Sequence, residues 1–509
     1  MGIFDKKKIM FIPGSIVIFM MVVVLILILI PRYFGCKPGG KPDIPTTLSG
    51  NNLIIILVDA LRADHLGCYG YQRNTSPFID SLAKQGMVFE KFFSNSSYTR
   101  ESLSVLFTGR LPSSSGGTGW LAAPPAAIKN IGLIFKKAGY KTAIISNSIQ
   151  VKHRNFRLGI DHFECLSETW GVSRTGPKLT AHALDFIKKN KNQKFMMYLH
   201  YLDPHGPYDP PPKFYRRFNK NPLPHPLKIY GTVRPKCHEL IKKGFGPGNK
   251  QFDDMILRYD AEIAHTDYSI ELLFQGLQKE NLLKNTVVLI TADHGEEFLE
   301  HHYVEHAWTL YNESLHIPLI LWAPGIVPHK RIAALASTVD LLPTLVQLMG
   351  ISHQRKDLEG TPLFQYREDG FYFTPPDKPF IAELLVQHRN LIRTVIKGDW
   401  KYISAQKWLF PPQRPLVLKN AAEFEKNKKQ HLDIWGKVKH EELYNLAADP
   451  KEKRNLLGKY EKKLTILKEV LRLYKIYCKH KGIKNILDDK NKEPISEKDR
   501  KILESLGYL

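Results

Sequence analysis

Cysteine is scarce in this chain: five residues in 509, Cys36, Cys68, Cys165, Cys237 and Cys478, odd in number and far apart. Neither a disulfide framework nor a cysteine-built metal site is indicated, and cysteine usage does not reveal the compartment. Acidic residues are few beside basic ones, 50 against 73, and the net charge of +23 would attract phosphates, nucleic acids or anionic lipid heads. The lysines are scattered, densest after Lys419, without an aromatic RNA-binding signature or a zinc-finger spacing. Nucleic acid is therefore not an expected partner. No internal repeat is found. Hydrophobic residues at 43% and charged residues at 24% exclude a disordered chain and leave room for one large domain with an appendage.

Long apolar runs are missing with a single exception. Ile9–Ile30 holds 22 residues without a charge, about 33 Å as a helix and enough for a hydrocarbon core of roughly 30 Å. A cleavable signal peptide has a shorter apolar stretch, so a retained transmembrane anchor is expected over 9–30. Residues 1–8 form a basic tail. Residues 31–50, with Pro, Gly, Ser and Thr, read as a linker. Lys6, Lys7 and Lys8 before the span are balanced by Arg32, Lys37 and Lys41 after it, so charge does not set the orientation.

From Asn51 onward, short apolar runs alternate with helix-like stretches: Leu53–Val58, Thr142–Ser146, Phe195–Tyr201, Thr286–Thr291 and Ile317–Trp322. That alternation predicts an α/β fold with a largely parallel central sheet buried under helices. One helix is signalled by Ser76 as cap and Pro77 at its first position. A domain over 51–374 is followed by a smaller α+β part over 375–509. In the latter, Leu391–Val395 and Trp400–Ile403 predict an antiparallel hairpin, and Tyr460, Leu464, Leu467, Leu471 and Tyr474 mark one helix face.

Ligands of open α/β sheets bind outside the carboxyl ends of the strands. Asp59 follows the first run, Asp203 and His205 the third, and Asp293 and His294 the fourth. Asp293-His294-Gly295 places a carboxylate and an imidazole where both can hold one divalent ion. His301, His302 and His306 follow, beside Glu296, Glu297, Glu300 and Glu305; a solvated loop explains the glutamates but not four histidines. The segment from Ser97 to Arg110 reads as a loop feeding a helix, with the hydroxyls of Thr99 and Ser102 near its start. A hydroxyl at a positive helix end and on a metal ionises more readily and becomes a nucleophile.

In this order the motifs resemble the sulfatase family of the alkaline phosphatase superfamily. Leu57-Val58-Asp59 through Gly67 is similar to the family's opening strand and metal aspartate. Thr108-Gly109-Arg110 stands nine residues after Thr99, at the nucleophile position. His200 to Pro212, with Asp203-Pro204-His205-Gly206-Pro207-Tyr208, is similar to the family's substrate-histidine segment. Asp293-His294-Gly295-Glu296, Asp340-Leu341-Leu342-Pro343-Thr344, Glu442-Leu443-Tyr444-Asn445-Leu446 and the terminal Leu506-Gly507-Tyr508-Leu509 also fit.

Four departures from that pattern bear on mechanism. Formylglycine sulfatases carry Cys or Ser, then Pro two on and Arg four on, where this chain has Thr99, Glu101 and Leu103. Threonine cannot be converted to formylglycine. Those enzymes also have two consecutive aspartates, whereas Ala60 follows Asp59, and they carry an amide or similar ligand at His294 and a lysine at His306. The donor set moves toward a nitrogen and oxygen shell suited to zinc or manganese, with calcium as the alternative.

The resemblance implies an alkaline-phosphatase/sulfatase-like sandwich with its main domain on the extracytoplasmic side of the membrane. It implies a metal held by Asp59, Thr99, Asp293 and His294, and Thr99 as nucleophile. His205, His306 and Arg100 act on an anionic ester of a glycan, lipid or small molecule. A second metal at His205, His306 and Asp203 is a further option. A phosphoethanolamine-type head-group transferase and an inactive protein of the same fold are the alternative readings.

Overall fold

Seven consecutive buried residues, Asn52–Val58, make the central strand β1. In the computed structural model, residues 48–481 are described except 119–122, 168–174, 221–222, 224–240, 353–354, 356, 368–369, 377, 386–390 and 407–438. The expected anchor at 9–30 and the terminal Leu506–Leu509 motif lie outside the described residues, among which no helix is long and apolar enough to cross a membrane.

Seven further strands join β1: β2 (Met87–Phe93), β3 (Lys141–Ser146), β4 (His162–Cys165), β5 (Phe195–Tyr201), β6 (Thr286–Ala292), β7 (Leu319–Trp322) and β8 (Lys330–Ser337). They lie in the order β8-β2-β7-β6-β1-β5-β3-β4. Five of the seven pairings are parallel; β7 runs antiparallel between β2 and β6. Every residue of β1, β5 and β6 is buried, as expected of a parallel sheet covered on both faces. The strand expected from the Ile317–Trp322 run therefore exists, with its direction reversed.

Helices pack over the sheet: α1 (Pro77–Ala83), α2 (Thr99–Thr108), α3 (Gly176–Asn190) and α4 (Lys250–Lys279). Ser76 precedes α1 as expected, but its side chain makes no cap bond to the helix backbone. Asp267 of α4 does that work, accepting from the Phe78 and Ile79 amides at 3.1 and 2.8 Å. A carboxylate at a helix start satisfies donors that have no partner within the helix.

The later part is a four-stranded antiparallel sheet, β9 (Phe380–Leu384), β10 (Leu391–Lys397), β11 (Trp400–Gln406) and β12 (Lys439–Asn445), followed by α5 (Glu461–Lys481). Gly398 in the expected hairpin has a φ of 58°, a left-handed conformation that glycine adopts without steric cost. Leu464, Leu467, Leu471 and Tyr474 are buried as their spacing predicts, but Tyr460 lies before the helix and is 47% exposed. Val105 of α2, together with Leu111, packs in one apolar cluster with Ile381, Val395, Leu467 and Leu471. The small sheet and its helix thus form the backing of α2.

Candidate active site

Parallel register sets the first two carboxylates side by side. Val58 lies opposite Ala292 and Tyr201, so the next residues, Asp59 and Asp293, leave adjacent strands at the same height. The turn after β6 then reverses sharply. The Gly295 and Glu296 amides bond to the Ser314 and Glu313 carbonyls at 2.8 and 3.0 Å, and a Cβ on Gly295 would overlap the Glu313 carbonyl oxygen. Glycine is required here by that close approach.

Thr99 is the first residue of the ten-residue helix α2, and it is buried. Ser94 and Ser102, on either side of it, both donate to the Asp293 carbonyl, at 2.5 and 2.7 Å. Those two bonds tie the loop and the first helical turn to the end of β6. Thr99 Oγ1 comes to 3.0 Å from His294 Nε2. His294 Nδ1 donates to the Gly295 carbonyl at 2.9 Å, which leaves Nε2 without a proton and able to accept or ligate.

Each acidic neighbour is also fixed on one side and open on the other. Asp293 Oδ1 accepts from the Ala60 and His294 amides at 3.1 and 2.9 Å. Asp59 Oδ2 accepts from His200 Nε2 at 3.0 Å. Their remaining oxygens, Asp59 Oδ1 and Asp293 Oδ2, are buried without a hydrogen-bond partner. They stand 3.7 and 3.3 Å from His294 Nε2. An orphaned buried carboxylate oxygen is costly, and two of them facing an unprotonated imidazole fit a cation. Ligand atoms on an ion with bonds of about 2.1 Å lie roughly 3.0–3.5 Å apart, close to these separations. Among the described residues, Asp59, Asp293 and His294 are the one group of three His, Cys, Asp or Glu side chains close enough to share an ion.

Electrostatics agree with that reading. Burial pushes the Asp59 carboxyl well above its ordinary value, and Asp293 adds to the effect. Burial would raise Asp293 as well, but His294 and His200 hold it below the usual range. The pair therefore resists carrying two charges without a countercharge. Burial pushes His294, His306 and His200 down to about 4, so all three imidazoles are neutral near neutral pH.

His306 lies over His294 with ring centroids 4.2 Å apart, and His205 stands 4.8 Å from His306. Glu296, which accepts from the Tyr208 hydroxyl at 2.9 Å, pairs with His306 Nδ1 at 2.9 Å. Arg100 Nε donates to Gln150 at 2.8 Å. Thus Asp59, Thr99, Asp293, His294, His205 and His306 are gathered as expected. Three expectations need correction. His301 pairs with Glu313 and stacks on Tyr311, and His302 is on the surface, so only two of the four histidines face the site. Glu296 and Glu297 are fully buried, so they do not belong to a solvated loop. Asp203 pairs with His265 at 2.9 Å and is not part of the three-residue metal group. His200 opens the expected substrate-histidine segment but has no expected role at the site; a histidine inside a strand of apolar residues carries no local signal that its partner is Asp59.

A buried hydroxyl thus stands beside strand-end carboxylates and histidines that could hold a cation. The chain matches the sulfatase family model over residues 51–351 and belongs to the sulfatase family of ester hydrolases. It is 23% identical over 488 residues to an arylsulfatase of Clostridium perfringens, covering 82% of this chain and 93% of the relative. An N-acetylglucosamine-6-O-sulfatase of Bacteroides thetaiotaomicron is 21% identical over 512 residues, covering 83% and 87% respectively. A protein solved in complex with its substrate D-glucosamine-2-N,6-O-disulfate superposes with a TM-score of 0.66 at 20% identity, covering 87% of this chain and 99% of that one. The phosphonate monoester hydrolase of Agrobacterium radiobacter superposes with a TM-score of 0.59 at 17% identity, covering 84% and 95%.

Proposed function

We propose that this chain is a membrane-anchored, metal-dependent hydrolase of sulfate or phosphate esters that uses Thr99 as its nucleophile. The observation that carries the reading is the convergence of the Thr99 hydroxyl, His294 Nε2 and two partnerless carboxylate oxygens. Asp59, Asp293, His294 and Thr99 would hold the ion. A bound divalent cation lowers the pKa of a coordinated hydroxyl and polarises the ester. One nitrogen among oxygen donors favours zinc or manganese over calcium.

Thr99 Oγ1 forms a bond to sulfur or phosphorus while the bond to the leaving ester oxygen breaks. The hydroxyl proton passes to His205 or His306, which returns it to the departing oxygen. Water then cleaves the threonine ester, restoring the hydroxyl and releasing sulfate or phosphate. Arg100, and the histidine that has taken the proton until it gives it up, bind the non-bridging oxygens. The N-acetylglucosamine-6-O-sulfatase relative and the neighbour bound to a glucosamine disulfate support an anionic glycan ester; the phosphonate hydrolase neighbour supports phosphorus esters. Residues 9–30 anchor the domain on the extracytoplasmic side.

Head-group transfer is the second reading, favoured by Thr99 itself, because an alcohol acceptor can resolve a threonine ester as water does. An inactive protein of this fold would have no use for the open carboxylate oxygens. Thr99→Ala, assayed on chromogenic sulfates and on phosphate mono- and diesters, should lose activity on the order of 10³-fold or more while melting as wild type does. Unchanged turnover would remove Thr99 as nucleophile.

A further inference from the structure

His200 is fully buried in β5 and has two polar contacts: Nε2 lies 3.0 Å from Asp59 Oδ2, and Nδ1 lies 3.0 Å from the Tyr198 hydroxyl. An imidazole buried among apolar strands is costly unless both nitrogens are bonded. Here each nitrogen has one partner, and those partners decide which carries the proton. With a cation as countercharge the Asp59 carboxylate is ionised and only accepts, so Nε2 carries the hydrogen and donates it to Asp59; Nδ1 then accepts from the Tyr198 hydroxyl. Residues 198 and 200 are two apart on one strand and point to the same face. Phe107 of α2 packs edge-on against Tyr198, with ring centroids 5.1 Å apart, which fixes the start of the chain of bonds.

The consequence falls on Asp59. Its Oδ2 is taken by His200, so the partnerless Oδ1 is the oxygen turned toward His294. Asp293 obtains the same result from backbone amides, whereas Asp59 depends on a side chain. We propose that Tyr198 and His200 are positioning residues that hold Asp59 to ligation through one oxygen and thereby set the affinity of the site for its cation. This rests on the metal-dependent reading above. Partners of this kind alter cation affinity by about 10- to 100-fold when removed.

The test uses the full chain purified in detergent, with manganese(II) alone as the probe, titrated by the electron paramagnetic resonance signal of the free ion. His200→Ala should weaken binding about 10- to 100-fold. His200→Gln, whose amide nitrogen reaches near the Nε2 position, should restore most of it, and Tyr198→Phe should weaken it several-fold. At saturating manganese, kcat of His200→Ala should return to within a few-fold of wild type, with KM for the ester unchanged. Wild-type affinity in both His200→Ala and Tyr198→Phe overturns the proposal, as does a kcat that stays low at saturation. If His200→Ala does not fold, Tyr198→Phe and His200→Gln decide, the first weakening binding and the second largely keeping it. A wild-type chain that binds no manganese or zinc overturns the metal reading itself, a result distinct from equal binding by wild type and variants.

Discussion

The two sides of the candidate site are held in different ways. On one side, Asp59, Asp293 and His294 leave the ends of β1 and β6, and their bonds to backbone amides, a carbonyl and His200 leave one atom of each open. On the other, His205 and His306 come from loops. The His306 loop includes four non-glycine residues in the left-handed region, Leu299, His302, Glu305 and Ala307, with φ between 63° and 70°. Such conformations persist only where surrounding contacts over-determine them. Here the Ala307 amide bonds to the Ser97 carbonyl at 2.9 Å, and the buried Glu297 accepts from Thr309 and Ser314. Under the proposed mechanism the sheet-built side binds charge and the loop-built side handles substrate and protons, so the two should fail differently.

The largest effect is expected from Asp293→Asn. The asparagine oxygen keeps the bonds to the Ala60 and His294 amides, while its nitrogen replaces the open oxygen and can donate to Asp59 Oδ1. Cation binding and ester turnover should fall on the order of 10³-fold or more. The cation-free variant should nevertheless melt a few degrees higher than the cation-free wild type, since roughly 1–3 kcal/mol of unsatisfied carboxylate cost is removed. A variant that loses turnover and also melts lower without metal would show that the open oxygens are not a strained ion site.

His306→Ala should lower kcat by about 10²- to 10⁴-fold, the usual scale for a proton-transfer group. Manganese affinity should change less than about three-fold, because His306 is not part of the three-residue group. If the ion is lost together with turnover, the two sides are not separable and His306 is itself a ligand.

What was legible in the sequence follows the same division. Strand ends could be read because a buried parallel strand is a nearly continuous apolar run, and the first polar residue after it must lie at the sheet edge. Asp59, Asp293 and His294 are read that way, whereas a helix start alone does not single out Thr99, which comes from the resemblance, nine residues before Thr108-Gly109-Arg110. The strands β2, β4 and β8 were not read, since β2 and β8 carry exposed residues and all four residues of β4 are only half-buried. The reversed direction of β7 and the capping of α1 by Asp267 depend on partners distant in the chain. The four histidines after residue 293 show the limit most clearly: proximity in sequence grouped them, and the fold sent His301 to Glu313 and left His302 in solvent.

The smallest effect sharpens that last distinction. His301 supports the loop from behind, with Nδ1 2.5 Å from Glu313, Nε2 3.0 Å from the Glu452 carbonyl, and its ring stacked on Tyr311. Burial alone would lower its imidazole, but Glu313 and the Glu452 carbonyl outweigh burial and raise it above 6.5. A histidine whose folded value is raised binds its proton more tightly in the native chain than in the unfolded one. Its stabilisation is therefore fully present below pH 6.5 and is lost as the pH climbs through the folded value. The melting-temperature gap between wild type and His301→Gln should be widest near pH 6 and shrink toward pH 9, with roughly 1–2 kcal/mol at its maximum. Ester turnover at saturating manganese should shift less than about three-fold, because His301 does not face Thr99. A gap that is constant from pH 6 to pH 9 would show that the ring packs without a proton-dependent pair, and a large loss of turnover would place His301 on the substrate side after all.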